Sequence, residues 1–149
     1  MATPILQFGT SRFLQAHADL FVDEALRRGD ALGRITVVQT TGAAERAGRL
    51  SALAAPGGYP VIIRGRKDGR DIERQQQVES IARSLSTASD WNAVRRVFRD
   101  EAAVVISNTG DTGYRVEADD LRGPVPASFP GKLLALLQAR FSANGRPLT

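Results

Sequence analysis

In Ile5-Leu6-Gln7-Phe8-Gly9-Thr10-Ser11-Arg12, residues 5–8 are a short apolar run that stops at Gly9, the pattern of a buried parallel strand entering a loop. Beyond it, Leu14, Ala18, Phe21 and Ala25 recur at helical spacing, and Gly29 closes the pattern as a C-terminal glycine does. Ile35-Thr36-Val37-Val38-Gln39 then reads as a second, β-branched strand. Strand, helix and strand in this order form a βαβ unit, which crosses over right-handed into a parallel sheet.

Outward from this unit the alternation continues. Ala43, Ala47, Leu50 and Ala54 share one face of a second helix, broken by Pro56-Gly57-Gly58. Residues 59–64 read as a strand, and the Asp68-Gly69 turn returns the polar stretch 70–78 antiparallel, as an exposed arm. Ser89 or Asp90 caps a helix whose buried face carries Trp91, Val94 and Phe98. Ala103-Val104-Val105-Ile106-Ser107 reads as a further buried strand, followed by a polar loop at 108–113 and an irregular connection at 118–127. Ser128 caps a last helix with Pro130 in its first turn and Leu133, Leu137 and Phe141 as its apolar stripe. Asn144-Gly145 then turns the chain, and Pro147-Leu148-Thr149 reads as the first step of another strand. The expected fold is α/β and Rossmann-like: a mostly parallel sheet flanked by helices, with an antiparallel hairpin arm near residues 60–78.

Composition narrows the classes. The chain has 149 residues, 24% charged and 42% hydrophobic, which suits one soluble domain over 1–149. It has no apolar run of the roughly 18 residues a membrane span requires. Met1-Ala2-Thr3-Pro4 lacks the basic, then apolar, start of a signal peptide, so a cytoplasmic protein without a membrane partner is expected. Without cysteine, and with His17 as the single histidine, no disulfide, thiolate or histidine metal site can assemble. Twenty basic against 16 acidic side chains give a net charge of +4, and only Lys67 and Lys132 are lysines. The arginines are scattered from Arg12 to Arg146 and aromatics make up only 6%, which reads as a solvated surface rather than a nucleic-acid platform.

In a parallel α/β sheet, ligands bind beyond the carboxyl ends of the strands. Gly9-Thr10-Ser11-Arg12 offers helix-start N–H groups, a hydroxyl and a guanidinium to a pyrophosphate; the plain alternative is a tight turn with no ligand. A dinucleotide fingerprint would place glycines at Gly9, Ser11 and Leu14, and only the first is present. At the end of the second strand, Gln39, Thr40, Thr41 and Gly42 stand where an acidic residue usually holds the adenosine ribose. They do not repel a 2′-phosphate, and Arg46 could attract one, so the residues do not choose between NAD and NADP. Ser107-Asn108-Thr109-Gly110-Asp111-Thr112-Gly113-Tyr114 is a second polar loop after a strand, suited to a flat ligand or to a capped turn. His17 reads as packed or structural, Asp23-Glu24 and Asp119-Asp120 as solvated acids, and Lys132 as a snorkelling surface lysine. No catalytic residue is assigned.

Three stretches resemble a known family. Phe8-Gly9-Thr10-Ser11-Arg12-Phe13-Leu14-Gln15-Ala16-His17 is similar to the Phe-Gly-x-Gly-x-Phe-x-Arg-Ala-His opening of the mannitol dehydrogenase family of long-chain polyol and hexuronate dehydrogenases. Residues 107–113 resemble its Ser-Asn-Thr-Thr-Glu-x-Gly loop. Ser128-Phe129-Pro130-Gly131-Lys132-Leu133 resembles the Ser-Phe-Pro-x-Lys-Leu helix start of its tagaturonate and altronate oxidoreductases. Ser11 replaces a glycine, Gln15 an arginine, and Gly110-Asp111 a Thr-Glu pair.

The resemblance implies a Rossmann-type NAD-binding domain of a sugar-acid or polyol oxidoreductase. It implies cofactor contacts at Gly9, Ser11, Arg12 and Phe13 for the pyrophosphate, and at Asn108 and Thr109 near the nicotinamide. Family members carry their catalytic residues in a following helical domain, so the chain is expected to be truncated before it and inactive alone. The competing expectation is a stand-alone, non-catalytic nucleotide-binding or interaction module.

Overall fold

β1 (Ile5–Phe8) sits at the centre of the sheet, and all four of its residues are buried. The computed structural model describes residues 3–41, 47–120, 122–143 and 145–149, so Met1, Ala2, Gly42, Ala43, Arg46 and Asn144 of the expectations above lie outside the described residues. β1 pairs in parallel with β2 (Ile35–Gln39) on one side and β6 (Val104–Ser107) on the other. β5 (Ile81–Ser86) extends the sheet beyond β2, giving the order β5-β2-β1-β6 with every pair parallel.

Alternation along the strands divides the interior. Leu6, Phe8 and Val38 face one side and pack on Trp91, Val94, Val97 and Phe98 of α4 (Trp91–Asp100) and Leu136 of α5 (Phe129–Ala143). Ile5, Ile35 and Val37 face the other, against Leu50 and Leu53 of α3 (Ala47–Leu53). β3 (Tyr59–Lys67) and β4 (Arg70–Val78) form the antiparallel arm, turned by Asp68 and Gly69 at φ 52° and 76°. Both residues at positive φ make a type I′ turn, matched to strand twist. The arm docks through Val61 and Val78 on Leu20.

Four expectations change. The first helix is a continuous run of α1 (Arg12–Leu14), a π-helical turn at Gln15–Asp19 and α2 (Leu20–Arg28), closed by Gly29 at φ 79°. The wider π turn advances the buried face by one residue. Leu14, Asp19, Leu20 and Asp23 therefore point inward, while Phe21 stays 59% exposed.

In α5 the buried positions are Gly131, Lys132, Leu136 and Arg140; of the expected stripe Leu133 packs against the core, while Phe141 is 82% exposed and Leu137 43%. Leucines on nearly every side give this helix no single apolar face, so its packing partners set the phase. β6 is half-buried rather than buried, because it borders the four-stranded sheet. β5 had no counterpart among the expected strands.

Residues 147–149 do begin an extended step beside β6: Thr149 N–H donates to the Ala103 carbonyl at 3.0 Å, and Val105 N–H donates to Thr149 at 2.9 Å. Arg140, buried rather than solvated, holds this segment by donating to the Arg146 and Pro147 carbonyls and ties it to the end of α4 through Phe98.

Candidate functional site

The chain passes from β1 to β2 on one side, and later returns to β6 on the other side of β1. The order therefore switches between β1 and β6, and a crevice opens there beyond the strand ends. Two loops border it, 9–13 after β1 and 108–114 after β6, the latter carrying a 3₁₀ turn at Asp111–Tyr114.

Gly9 turns the first loop at φ 111°, a backbone region closed to L side chains. Its N–H donates to the Val38 carbonyl at 2.9 Å, which binds the loop to the end of β2. Ser11 is the N-cap, its Oγ accepting from Leu14 N–H at 3.2 Å. Arg12 and Phe13 N–H groups lie in the first helical turn, where a helix offers no backbone acceptor. The Thr10 carbonyl is held by Gln15 at 3.1 Å and by Arg49 of α3 at 3.2 Å. Asn108 Nδ2 donates to Ser11 Oγ at 3.3 Å and joins the two loops directly.

The same crevice contains a cavity of about 520 Å³ lined by Thr40, Thr41, Asn108, Thr109, Ser128 and Phe129 among others. Of the residues singled out in the sequence, Gly9, Ser11, Arg12 and Asn108 come together at the loops, and Thr40, Asn108 and Thr109 share the cavity. Two stand apart. Gln39 is buried, its side-chain amide donating to the Thr41 carbonyl at 2.7 Å, so it holds the strand end rather than facing a ligand. The Phe13 ring is 59% exposed and stacks on His17, centroids 4.4 Å apart.

His17 is not packed in the interior. It lies on the exposed helix surface between Phe13 and Phe21, with Nδ1 2.8 Å from the Phe13 carbonyl. Asp19 does not partner it.

Asp23, Asp120 and Lys132 depart from expectation, whereas Glu24 and Asp119 remain accessible to solvent, and Asp19 is buried too. Asp19 is fully buried by the π turn and accepts from the Tyr59 hydroxyl at 2.8 Å. Burial pushes its carboxyl up to about 6, against the opposing effect of hydrogen bonds from Tyr59 and Gln7. Asp23 is buried too, accepting from Arg27 at 2.7 Å and from the Glu79 N–H at 2.8 Å. Asp120, expected to be solvated, accepts from the Ser128 hydroxyl and from the Ser128 and Glu117 N–H groups, and these bonds lower its pKa. Lys132 is buried with Nζ donating to the Ala127 carbonyl at 2.7 Å; burial lowers its pKa and the nearby Asp120 charge partly offsets this.

Arg49 and the Asp19–Tyr59 pair escaped the sequence reading. Arg49 lies outside every motif, and the depth of Asp19 follows from a π turn that helical periodicity does not reveal. Among the described residues, no cluster of His, Cys, Asp and Glu can hold a metal ion, and no helix is long and apolar enough to cross a membrane.

Known proteins share this chain's pattern. No family model matches it. It is 34% identical over 141 residues to the altronate oxidoreductase of Bacillus subtilis (strain 168), covering 93% of this chain and 29% of that protein. It is 31% identical over 144 residues to the altronate oxidoreductase of Halalkalibacterium halodurans, covering 95% of this chain and 28% of that protein. The chain thus spans less than a third of the length of these relatives.

Its fold superposes on a substrate-free D-sorbitol dehydrogenase with a TM-score of 0.76 at 19% identity, over 99% of this chain and 33% of that one. A Pseudomonas fluorescens mannitol 2-dehydrogenase in ternary complex with NAD and D-mannitol also gives 0.76 at 19%, over 99% and 32%. The chain is homologous, over nearly all of its own length, to a portion of the altronate oxidoreductases, and it carries the Rossmann-type fold of the polyol dehydrogenases.

Proposed function

We propose that residues 1–149 are the nicotinamide-dinucleotide-binding domain of a sugar-acid or polyol oxidoreductase of the altronate/tagaturonate or mannitol type, without turnover of its own. The observation that carries this reading is the Asn108–Ser11 hydrogen bond, which unites two polar loops at the switch in strand order. The fit of the cofactor rests on Gly9, whose φ of 111° lets the backbone turn under a phosphate, and on the N–H groups of the first helical turn at Arg12 and Phe13, which have no helical acceptor.

In this reading residues 9–13 bind the pyrophosphate, with Arg12 adding charge. Thr40, and Gln39 through the loop it holds, shape the adenosine-ribose end. Asn108 and Thr109 orient the nicotinamide. The nicotinamide, NAD in the mannitol 2-dehydrogenase neighbour, supplies or accepts the hydride when bound. The chain's own residues bind and orient it. A cytoplasmic location accompanies this role.

Calorimetric titration of the chain with oxidised and reduced NAD and NADP tests the reading. Saturable one-to-one binding is expected, and absence of binding at millimolar ligand would reject it.

A further inference from the structure

We propose that the antiparallel arm is a pH-governed flap: its root is latched to the helical run of α1, the π turn and α2 while Asp19 carries a proton, and is released when Asp19 ionises. The inference does not depend on the reading of the crevice.

The arm stands apart from the parallel sheet, because β3 and β4 pair only with each other. Its buried apolar contact with the body is small, Val61 and Val78 against Leu20. Most of the remaining hold is polar and runs to the helix. The Tyr59 hydroxyl donates to the Asp19 carboxyl at 2.8 Å, the Ser80 hydroxyl to the Asp19 carbonyl at 2.7 Å, and the Glu79 N–H to Asp23 at 2.8 Å. Arg27, which donates to Asp23, also donates to the Gln77 carbonyl at 2.8 Å. Where the chain enters the arm, Gly57 and Gly58 lie at φ 84° and 62°, a pair able to absorb a hinge rotation.

Asp19 lies at the centre of this root, fully buried. One of its carboxyl oxygens meets no donor, and neither does the Gln7 amide oxygen on β1. The groups that act on its carboxyl are Tyr59 of β3 and Gln7 of β1, and neither is a cation. Asp23 is a second acid close to the Tyr59 phenol, and Arg27 lies between Asp23 and Glu79. His17 stands on the outer surface with Phe13 and Phe21, away from Asp19. Burial, then the Asp19 charge, push the Tyr59 phenol up, so it remains a donor throughout. A proton on Asp19 supplies a donor among orphaned acceptors, whereas a charge there has no counter-ion. Lifting the arm root hydrates that charge without opening the parallel sheet, whose two cores are separate from the arm contact.

Burial raises the Asp19 carboxyl from 3.8 to about 6. The docked root is therefore favoured in full below 3.8 and loses that advantage as pH rises through about 6. Across this window the opening equilibrium rises about a hundredfold, then levels off.

The chain has no cysteine, so single-cysteine variants report opening cleanly. Val78→Cys places a thiol in the arm contact, and Val94→Cys places one in the core under α4. Each is labelled with 4,4′-dithiodipyridine between pH 4.5 and 7. Rates are divided by those of the urea-unfolded chain at the same pH, which removes the titration of the thiol itself. The normalised Val78→Cys rate is expected to rise about ten- to thirtyfold over this range and to exceed that of Val94→Cys throughout. Asp19→Asn is expected to flatten the rise. A rate independent of pH, an arm labelled no faster than the core, or a rise that persists in Asp19→Asn overturns the inference. If Asp19→Asn does not fold, the two reporters in the otherwise unsubstituted chain decide it.

Discussion

Asp19 shows how much one side chain can hide. Nothing in its sequence neighbours singles it out, yet the π turn buries it against Tyr59. One Asp19 carboxyl oxygen and the Gln7 amide oxygen are buried acceptors that meet no donor, and a proton on Asp19 turns one of them into a donor. The folded state therefore prefers the protonated acid. Because the pKa is raised, the stabilisation is fully present below the ordinary 3.8 and is lost as pH rises through about 6. A shift of this size corresponds to about 3 kcal/mol. Asp19→Asn keeps an acceptor for Tyr59 and removes the charge, so it is expected to flatten the fall in stability across that window and to raise Tm at pH 7.5. Urea melts at several pH values check this; an unchanged slope would mean that Asp19 is ionised without cost. The Gly9 turn was legible because a backbone at φ 111° selects glycine directly, whereas the Asn108–Ser11 hydrogen bond between the two loops came only with the fold. Arg49 was not legible, since a long exposed side chain leaves no trace in local pattern.

Among the elements, α5 is the most instructive. Its start was readable: Ser128 Oγ accepts from the Gly131 N–H at 3.0 Å, as a cap does. The glycine inside the first turn has a reason that needs the fold. A Cβ on Gly131 would lie 2.6 Å from the Asp120 carboxyl carbon. Gly131→Ala is thus expected to cost about 1–3 kcal/mol through this overlap, despite alanine's better helix propensity. Thermal melts would show it, and a neutral or stabilising effect would contradict the packing described. The stripe of α5 was legible only at Leu133, because leucines surround the helix and Leu137 and Phe141 stay out, and that of α1 and α2 was displaced because a π turn shifts the phase. β5 was missed because Ile81-Ala82-Arg83-Ser84-Leu85-Ser86 is a half-buried border strand whose polar residues weaken the alternation. The βαβ opening and the hairpin were legible because each is encoded locally, by an apolar run ending in glycine and by Asp68-Gly69.

As a molecule, the chain assembles a polar crevice whose cavity, among the described residues, is lined by one carboxylate, Glu117, and by no lysine or histidine. Lys67 is exposed on the arm, Lys132 is engaged with Ala127, and His17 stacks on the outside of its helix. Without a positioned acid/base, hydride transfer loses about a hundred- to ten-thousand-fold, and more without substrate orientation. No measurable oxidation of mannitol or altronate, and no reduction of fructose or tagaturonate, is expected from this chain with either cofactor. Saturable turnover abolished by substituting His17 or Lys132 would place an active site here instead.

The most direct measurement is a titration of the chain and its Gly9→Ala variant with NADH, followed by calorimetry, with circular dichroism to verify that both are folded. A methyl group at φ 111° strains the turn by about 1–3 kcal/mol, and on the proposed reading that strain falls on the loop that binds the pyrophosphate. The account predicts saturable one-to-one binding that weakens about tenfold or more in the variant. No binding to the folded chain at millimolar NADH, or equal binding by both proteins, would contradict it.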